Sequence, residues 1–414
     1  MSTQTIIIGG GIIGLSIAVT LRKRGVSVLL LDADAVCAGA SYGNAGHIAT
    51  EQVYPVADSA ILKKLPSMLI NPLGALRLDW RYLPKLLPWA WKTALNMRPE
   101  KFQASHQALL GLNSHCLADW QQFADEWQLT PFLETQGSLL VCEQAATQAA
   151  LQKHGRTLNE LGVENQWLSA KELHEREPAL ASTQLGGLFY PNTGHITDLN
   201  VLTHTLKRAF LGMGGGIQEY CAVQQAHINN RGGITLHTSK GLMQADKAIL
   251  AAGAFSKPLA AQLTGVNVPL DTERGYHLML PAEKGRLTVP VSSADRHFIM
   301  TPMQAGLRLA GTVEYAGLYA PPNMARARNL LPLAEGMLAQ TLNAGHAAEW
   351  MGFRPTTTDS LPVIDRIGSV LLAFGHQHLG LTHAASTAAA VAALYFDEPW
   401  PQDLRPFRLH RFIR

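Results

Sequence analysis

Cysteine is scarce in this sequence: Cys37, Cys116, Cys142 and Cys221 are its only four, with no C-x-x-C pair among them. That spacing gives no zinc signature and suits a reducing compartment. Charge is scarce too. Thirty-four Lys and Arg against 31 Asp and Glu leave a formal +3, which argues against a dedicated nucleic-acid binder. No run reaches the roughly eighteen apolar residues of a membrane span, and the small-apolar stretch 384–395 is expected as a buried helix. The first strand signal begins at Thr3, which leaves no room for a signal peptide. Internal repeats and low-complexity segments are missing. What remains is 414 residues with 47% hydrophobic content, enough for two compact domains.

The clearest pattern lies at the start. Residues 3–32, TQTIIIGGGIIGLSIAVTLRKRGVSVLLLD, predict a strand over 3–8, a glycine turn, a helix over 12–24 and a second strand over 27–31. Gly9, Gly11 and Gly14 form G-x-G-x-x-G in that context: the first for the tight turn, the second for close approach of a pyrophosphate, the third for helix–strand packing. Ile12 and Ile13 open the helix, whose free N–H groups would face the phosphates. Arg22, Lys23 and Arg24 crowd its negative end and Gly25 stands just past it, a clear stop. Asp32 ends the second strand eighteen residues after Gly14, with Ala33 next to it, where a carboxylate can accept hydrogen bonds from ribose hydroxyls. The unit predicts dinucleotide binding; the alternative is a parallel βαβ unit that binds nothing.

The loop that follows, ADAVCAGASYGNAGHIA, is rich in small residues, so its backbone could lie against a flat ligand around Ser41, Asn44, Gly46, His47 and Ile48. Cys37 within it has no basic neighbour in sequence and is expected to be an inert buried thiol. Residues 59–98 set seven Lys and Arg against the single acid Asp79, among Trp80, Tyr82, Trp89 and Trp91. Basic side chains interleaved with Trp and Leu on proline-broken helices fit an interfacial membrane contact; a helical excursion packed on its own protein is the other reading. Trp120, Phe123 and Trp127 share one helix face and are expected in the core.

Further strands are expected over 137–143, 186–190, 222–229 (with Val223) and 235–238, and a helix over 199–211. The buried strand 247–251 runs into Ala252 and Gly253, a second turn permitting close backbone approach. If it lies beside the first strand, one dinucleotide can be touched from two distant parts of the chain. A sheet-rich region opens with TERGYHLML at 272–280, and a helical stretch over 323–342 closes it. Arg354 precedes Pro355, which restricts it to extended backbone. A last strand over 370–373 enters the turn GHQHLGLT, then a helix from Thr382. His376, His378 and His383 have no acid or cysteine companion, so no metal is expected; backbone shaping of an organic cofactor site by His378, Leu379, Gly380, Leu381 and Thr382 is the better account.

Together these elements resemble the FAD-dependent amino-acid oxidoreductases of the D-amino-acid oxidase and dehydrogenase superfamily, over nearly the whole chain. The residues that carry the resemblance are Gly9-x-Gly11-x-x-Gly14 with Asp32, the NAGHI loop, Ala252-Gly253, Arg274-Gly275-Tyr276, Arg354-Pro355 with 359–362, and Gly375-His376 with 380–382. The NAG loop followed by a proline- and tryptophan-bearing insertion most resembles the bacterial D-amino-acid dehydrogenases, a branch that includes D-proline and hydroxyproline-type enzymes. The resemblance implies an α/β (α+β overall) fold. Its discontinuous Rossmann-like FAD domain would span 1–58, 192–265 and 346–414, and its substrate domain, with a large antiparallel sheet, 99–191 and 266–345.

It also implies that Arg354 holds a substrate carboxylate through a bidentate pair, with Tyr276 contributing a hydrogen bond or shielding the site. Two departures stand out: Gln377, where relatives often have glycine, and Asp365. No cysteine follows Cys221, so FAD is expected to be non-covalent. The expected reaction is hydride transfer from the α-carbon of a D-amino acid to flavin, with electrons passing to a quinone or respiratory-chain carrier. The expected location is the cytoplasm or, by peripheral contact, the inner face of the cell membrane. Rival readings are an oxidase using oxygen, an NAD-dependent dehydrogenase, a flavoenzyme acting on a modified tRNA base, and a flavin subunit that works only in a larger complex.

Overall fold

Strand Gln4–Ile8 lies inside a six-stranded sheet, flanked by Ser27–Leu31 on one side and Lys247–Leu250 on the other. The protein is described here from a computed structural model, over residues 4–56, 74 and 76–413. In order the sheet runs Gly216–Gln218, Ser27–Leu31, Gln4–Ile8, Lys247–Leu250, Val370–Phe374 and Val363–Ile367. Its neighbours pair in parallel except the final hairpin. Near-continuous apolar runs such as III and VLLAF are what a parallel sheet covered on both faces requires. The condition set on residues 247–251 is met: Thr5 pairs with Lys247 and Ile8 with Leu250.

Helix Ile12–Lys23 covers one face together with Ala384–Phe396 and Leu199–Gly212. Arg22 and Lys23 occupy its last turn, and Gly25 follows in the left-handed region at φ +84°. Asp198 caps Leu199–Gly212 by accepting from the N–H groups of Asn200 and Val201.

The second large sheet has nine strands. Ala348–Thr357 forms one edge, followed by Leu270–Leu280, Gly306–Tyr315, Phe298–Met303, Val291–Ser293, Ser138–Cys142, Gly186–Tyr190 and Gln166–Ser169; Leu76–Leu78 adds to Gly306–Tyr315. It is antiparallel apart from two short parallel pairings. The expected boundary at 346 does not coincide with the change of sheet: Ala348–Thr357 pairs with Leu270–Leu280 over ten positions and belongs to this second sheet. Conversely, helix Cys116–Glu126 packs on the cofactor side, with Trp120 Nε1 donating to Leu381 O at 2.8 Å. Trp120, Phe123 and Trp127 are core residues, as their spacing predicts.

The helix expected over 323–342 is two short pieces, Ala325–Arg328 and Leu330–Ala334. Pro332 has no N–H to continue the ladder, and Gly336 turns left-handed at φ +75°. Of the stretch 59–98, residues 59–73 and 75 lie outside the described residues. The remainder holds strand Leu76–Leu78 and one helix, Leu83–Asn96, that accommodates Pro88.

Candidate active site

A cavity of about 870 Å³ runs from the glycine fingerprint to the second sheet. At its first end the turn is built by exclusion. A Cβ on Gly9, which sits at φ +105°, would lie 2.5 Å from Ala251 O, and one on Gly14 would lie 1.9 Å from Gly9 O. Asp32 Oδ2 accepts from Gly10 N at 2.6 Å and Oδ1 from Asp34 N at 2.9 Å, fixing the carboxylate at the end of its strand. Burial pushes its pKa up, with those N–H groups opposing. Ser41 Oγ accepts from Ile12 N at 2.8 Å, so the loop after Asp32 is stitched to the start of the helix. Burial pushes the Cys37 thiol up to about 12, as befits an inert group.

Most of the residues expected to touch a cofactor line this cavity: Gly9, Gly11, Ile12, Ile13, Asp32, Ala33, Ser41, Asn44, His47, Val223, Ala252, Gly253, His378, Gly380 and Leu381. Five stand behind the lining. Gly14 packs helix on strand, and Gly46, at φ +80°, has room for no side chain against Ile196 O. Ile48 and Leu379 are buried apolar groups, and Thr382 Oγ1 accepts from Ala49 N at 3.0 Å. The three histidines of the last turn are used separately: His376 Nε2 meets Thr387 Oγ1 at 3.0 Å and His383 Nε2 meets Asn113 Oδ1 at 2.7 Å.

At the far end, Arg354 and Glu273 face each other across paired strands, so both side chains leave the sheet on the same face. The guanidinium lies over Gly275, where a Cβ would come within 2.5 Å of Arg354 Cζ. This explains the glycine between Arg274 and Tyr276. Arg354 NH1 donates to Thr312 O at 3.0 Å. Burial lowers its pKa while the Glu273 carboxylate opposes; burial likewise raises that of Glu273, with Arg354 opposing and the Tyr315 hydroxyl donating to Oε1 at 2.8 Å. The result is a cation held in a low-dielectric wall with its guanidinium open to the cavity.

Tyr276 is placed differently from the expectation. It borders the cavity, but its hydroxyl donates to Glu314 Oε2 at 2.5 Å and accepts from Asn323 N at 3.2 Å. One position away from Gly275, it points to the opposite face of the sheet, so its hydroxyl is committed away from Arg354. Arg274 is also structural: it is fully buried and donates to Gly317 O, Ala320 O and Pro321 O.

Residues not singled out from sequence stand at the wall or just behind it. Glu273 is one, and only strand register reveals it. Glu51 is another, four residues after His47, a spacing that could have flagged it. His47 Nε2 meets Glu51 Oε1 at 3.1 Å and Nδ1 meets Gly194 O at 3.1 Å. Burial opposes the charged form of His47, but the Glu51 carboxylate and the Gly194 carbonyl against its two ring nitrogens hold its pKa above the ordinary value.

These features place a dinucleotide-type glycine fingerprint and a buried arginine on the wall of one cavity. The chain matches the model of the DAO family, FAD dependent oxidoreductases, over residues 4–394, and it belongs to that family. It is 32% identical over 424 residues to a D-amino-acid oxidase of Bradyrhizobium diazoefficiens, covering 98% of both chains. It is 25% identical over 405 residues to a D-amino acid dehydrogenase of Vibrio vulnificus, covering 95% of this chain and 96% of that one. In fold it is similar to the glycine oxidase from Geobacillus kaustophilus, with a TM-score of 0.77 at 22% identity over the full length of both chains.

The residues present fit FAD. Glycine cradles at Gly9 and Gly11, the Asp32 carboxylate at a strand end, and a second backbone turn at Ala252 and Gly253 all meet one elongated cavity. Gln377 Nε2, buried at its wall, has no hydrogen-bond partner among the described residues and is available to a polar ligand.

Proposed function

We propose that this protein oxidises a D-amino acid at its α-carbon, the D-proline and hydroxyproline type among the candidates, giving an imino acid that water hydrolyses or that is released. Bound FAD, held non-covalently, supplies the two-electron acceptor. The observation that carries this reading is the Arg354 guanidinium on the wall of the same cavity as the fingerprint. A fixed guanidinium fork binds a carboxylate through two parallel hydrogen bonds and so fixes the position of the adjoining α-carbon. Gly275 leaves the space that lets it lie flat against the sheet, and Glu273 beside it keeps the desolvated cation from being uncompensated.

The acceptor for the electrons is proposed to be a quinone or another membrane carrier, with oxygen the alternative that the oxidase name of one relative supports. Helix Leu83–Asn96 favours the first. Its inner face is anchored, with Trp89 Nε1 donating to Thr356 O at 3.0 Å and Tyr82 OH, just before the helix, to Asp271. Its outer face exposes Leu87 and Trp91, at 55% and 68%, and Trp80 in the turn before it is 66% exposed. The basic residues Arg81, Lys85 and Lys92 flank that face, an arrangement suited to an anionic lipid surface. No helix among the described residues is long and apolar enough to cross a membrane, so the contact proposed is peripheral.

The test is the visible spectrum of the purified protein under anaerobic conditions, before and after adding D- and L-amino acids that include proline and hydroxyproline. Bleaching of a flavin band by a D-enantiomer is expected; bleaching by none would reject the substrate class. Reoxidation by oxygen compared with a soluble quinone then separates the acceptors, and sedimentation with anionic vesicles checks the outer face of the helix.

A further inference from the structure

For the amino acid to lose a hydride, its nitrogen must first be free of the extra proton it carries in neutral solution. Four histidines line the cavity. His47 has both ring nitrogens on acceptors, and His376 is buried against Thr387. His297 is exposed at the turn before strand Phe298–Met303. His378 differs: it is half-buried, borders the cavity, and neither ring nitrogen has a hydrogen-bond partner among the described residues.

Two further observations show that the backbone of the turn is fixed. Gln377, immediately before His378, stands at φ +53°, a left-handed conformation that a non-glycine residue keeps only where the surroundings impose it. Thr356, two residues after Arg354, forms a bridge with His376. The turn is thereby fastened to the strand that carries the carboxylate-binding arginine.

We propose that His378 is the general base that removes a proton from the α-ammonium group of the substrate while Arg354 holds its carboxylate. This rests on the amino-acid reading above. In the step, one ammonium N–H bond breaks and an N–H bond to the imidazole forms, leaving a neutral amine whose lone pair is available as the hydride departs to the FAD that supplies the oxidation. The charged and titratable groups facing His378 are Arg354 on its strand, His47 and Glu51 from the loop after Asp32, and His383 beyond the turn. Burial first, and Arg354 second, hold the imidazole down at about 4, so in the empty site it is neutral near pH 7 but only weakly basic. A substrate carboxylate on Arg354 cancels that cation, and the imidazole gains basicity when there is a proton to take.

The experiment compares holoenzyme and His378→Asn by anaerobic stopped flow, following flavin bleaching at saturating substrate from pH 6 to 10. General-base catalysis is worth about a hundredfold or more. The variant is therefore expected to be about a hundredfold slower at pH 7 and to recover tenfold per pH unit toward the pKa of the substrate's own amine, whereas the wild-type rate rises less steeply. His378→Gln serves if the asparagine variant does not retain FAD. A second readout needs no turnover. Benzoate, a carboxylate with no amine, is titrated calorimetrically at pH 6 in buffers of different ionisation enthalpy; proton uptake is expected with wild type and not with the variant.

Parallel pH profiles, or equal proton uptake, would overturn the role of His378. Failure of the substrate reading is separate: then no amino acid bleaches wild type at any pH, and the benzoate difference alone decides.

Discussion

The two ends of the cavity recognise their ligands by opposite means. At the fingerprint, Gly9, Gly11 and Gly14 offer backbone and space, and the charge is acidic, Asp32 with Asp34 beside it. At the substrate end two charged side chains border the cavity, Glu273, less than a tenth exposed, and Arg354, while Arg274 and Glu314 serve the opposite face of the sheet. A cofactor that never leaves can be held by shape and many weak backbone contacts. On the proposed function, a small substrate that must come and go needs one strong, oriented contact, and low dielectric around Arg354 would make that contact strong.

The comparison breaks hardest at Gly14. Its missing Cβ would collide with Gly9 O at 1.9 Å, and neither backbone can retreat without opening the sheet at Ala251. Gly14→Ala should cost about 3 kcal/mol of stability and yield protein without flavin, read from the melting temperature and the visible spectrum. A yellow, stable variant would show that the turn is not shape-limited. Arg354→Ala addresses the other end. It should keep its FAD while kcat/KM falls about a hundredfold, from loss of a charge-assisted bidentate contact and of orientation, and its melting temperature should drop because buried Glu273 loses its cation. If flavin is lost as well, the two ends are not independent.

The division also explains what could be read from sequence. The fingerprint is local: strand, turn, helix and acid sit within thirty residues, so Gly9 to Asp32 were legible down to the caps. The second strand-turn at Ala252 needed only one conditional, its place beside Gln4–Ile8, and the parallel register supplies it. The substrate end is made of strands far apart in the chain. Arg354 stood out through its proline, but its partner Glu273 and the reason for Gly275 exist only in the pairing of Leu270–Leu280 with Ala348–Thr357. Tyr276 illustrates the same limit. Sequence places it next to Gly275, and a one-residue step in a strand decides which face it serves.

Asp32→Asn probes the strand-end carboxylate of the fingerprint end and should weaken FAD retention about tenfold, the value of a charged hydrogen bond reduced to a neutral one. Its pH dependence carries a sign. Burial holds the Asp32 pKa above the ordinary carboxylate value, so the ribose-accepting carboxylate is lost early as pH falls. For the apo fold the same shift acts in reverse: a raised folded-state pKa means that protonation on acidification favours the fold. Wild type should therefore shed FAD at mildly acid pH with no loss of stability from this group, and the asparagine variant should lack that acid limb. Ultrafiltration of FAD across pH, alongside circular dichroism, checks both halves.

The smallest expected effect sharpens the comparison most, because it lies one residue from the guanidinium's resting place. Tyr276 OH donates to Glu314 Oε2 and accepts from Asn323 N on the far face of the sheet, and burial, with that carboxylate, pushes its pKa up to about 12. Tyr276→Phe removes the donor and leaves Glu314, 4% exposed, with Arg274 NH1 at 3.7 Å as a remaining partner. The loss should be about 1 kcal/mol of stability, with KM and kcat within twofold of wild type. A tenfold rise in KM at unchanged melting temperature would place the hydroxyl on the substrate and extend the charged recognition surface to both faces of the strand. The expected pattern, lost stability with intact turnover, confines carboxylate recognition to the face that Arg354 shares with Glu273.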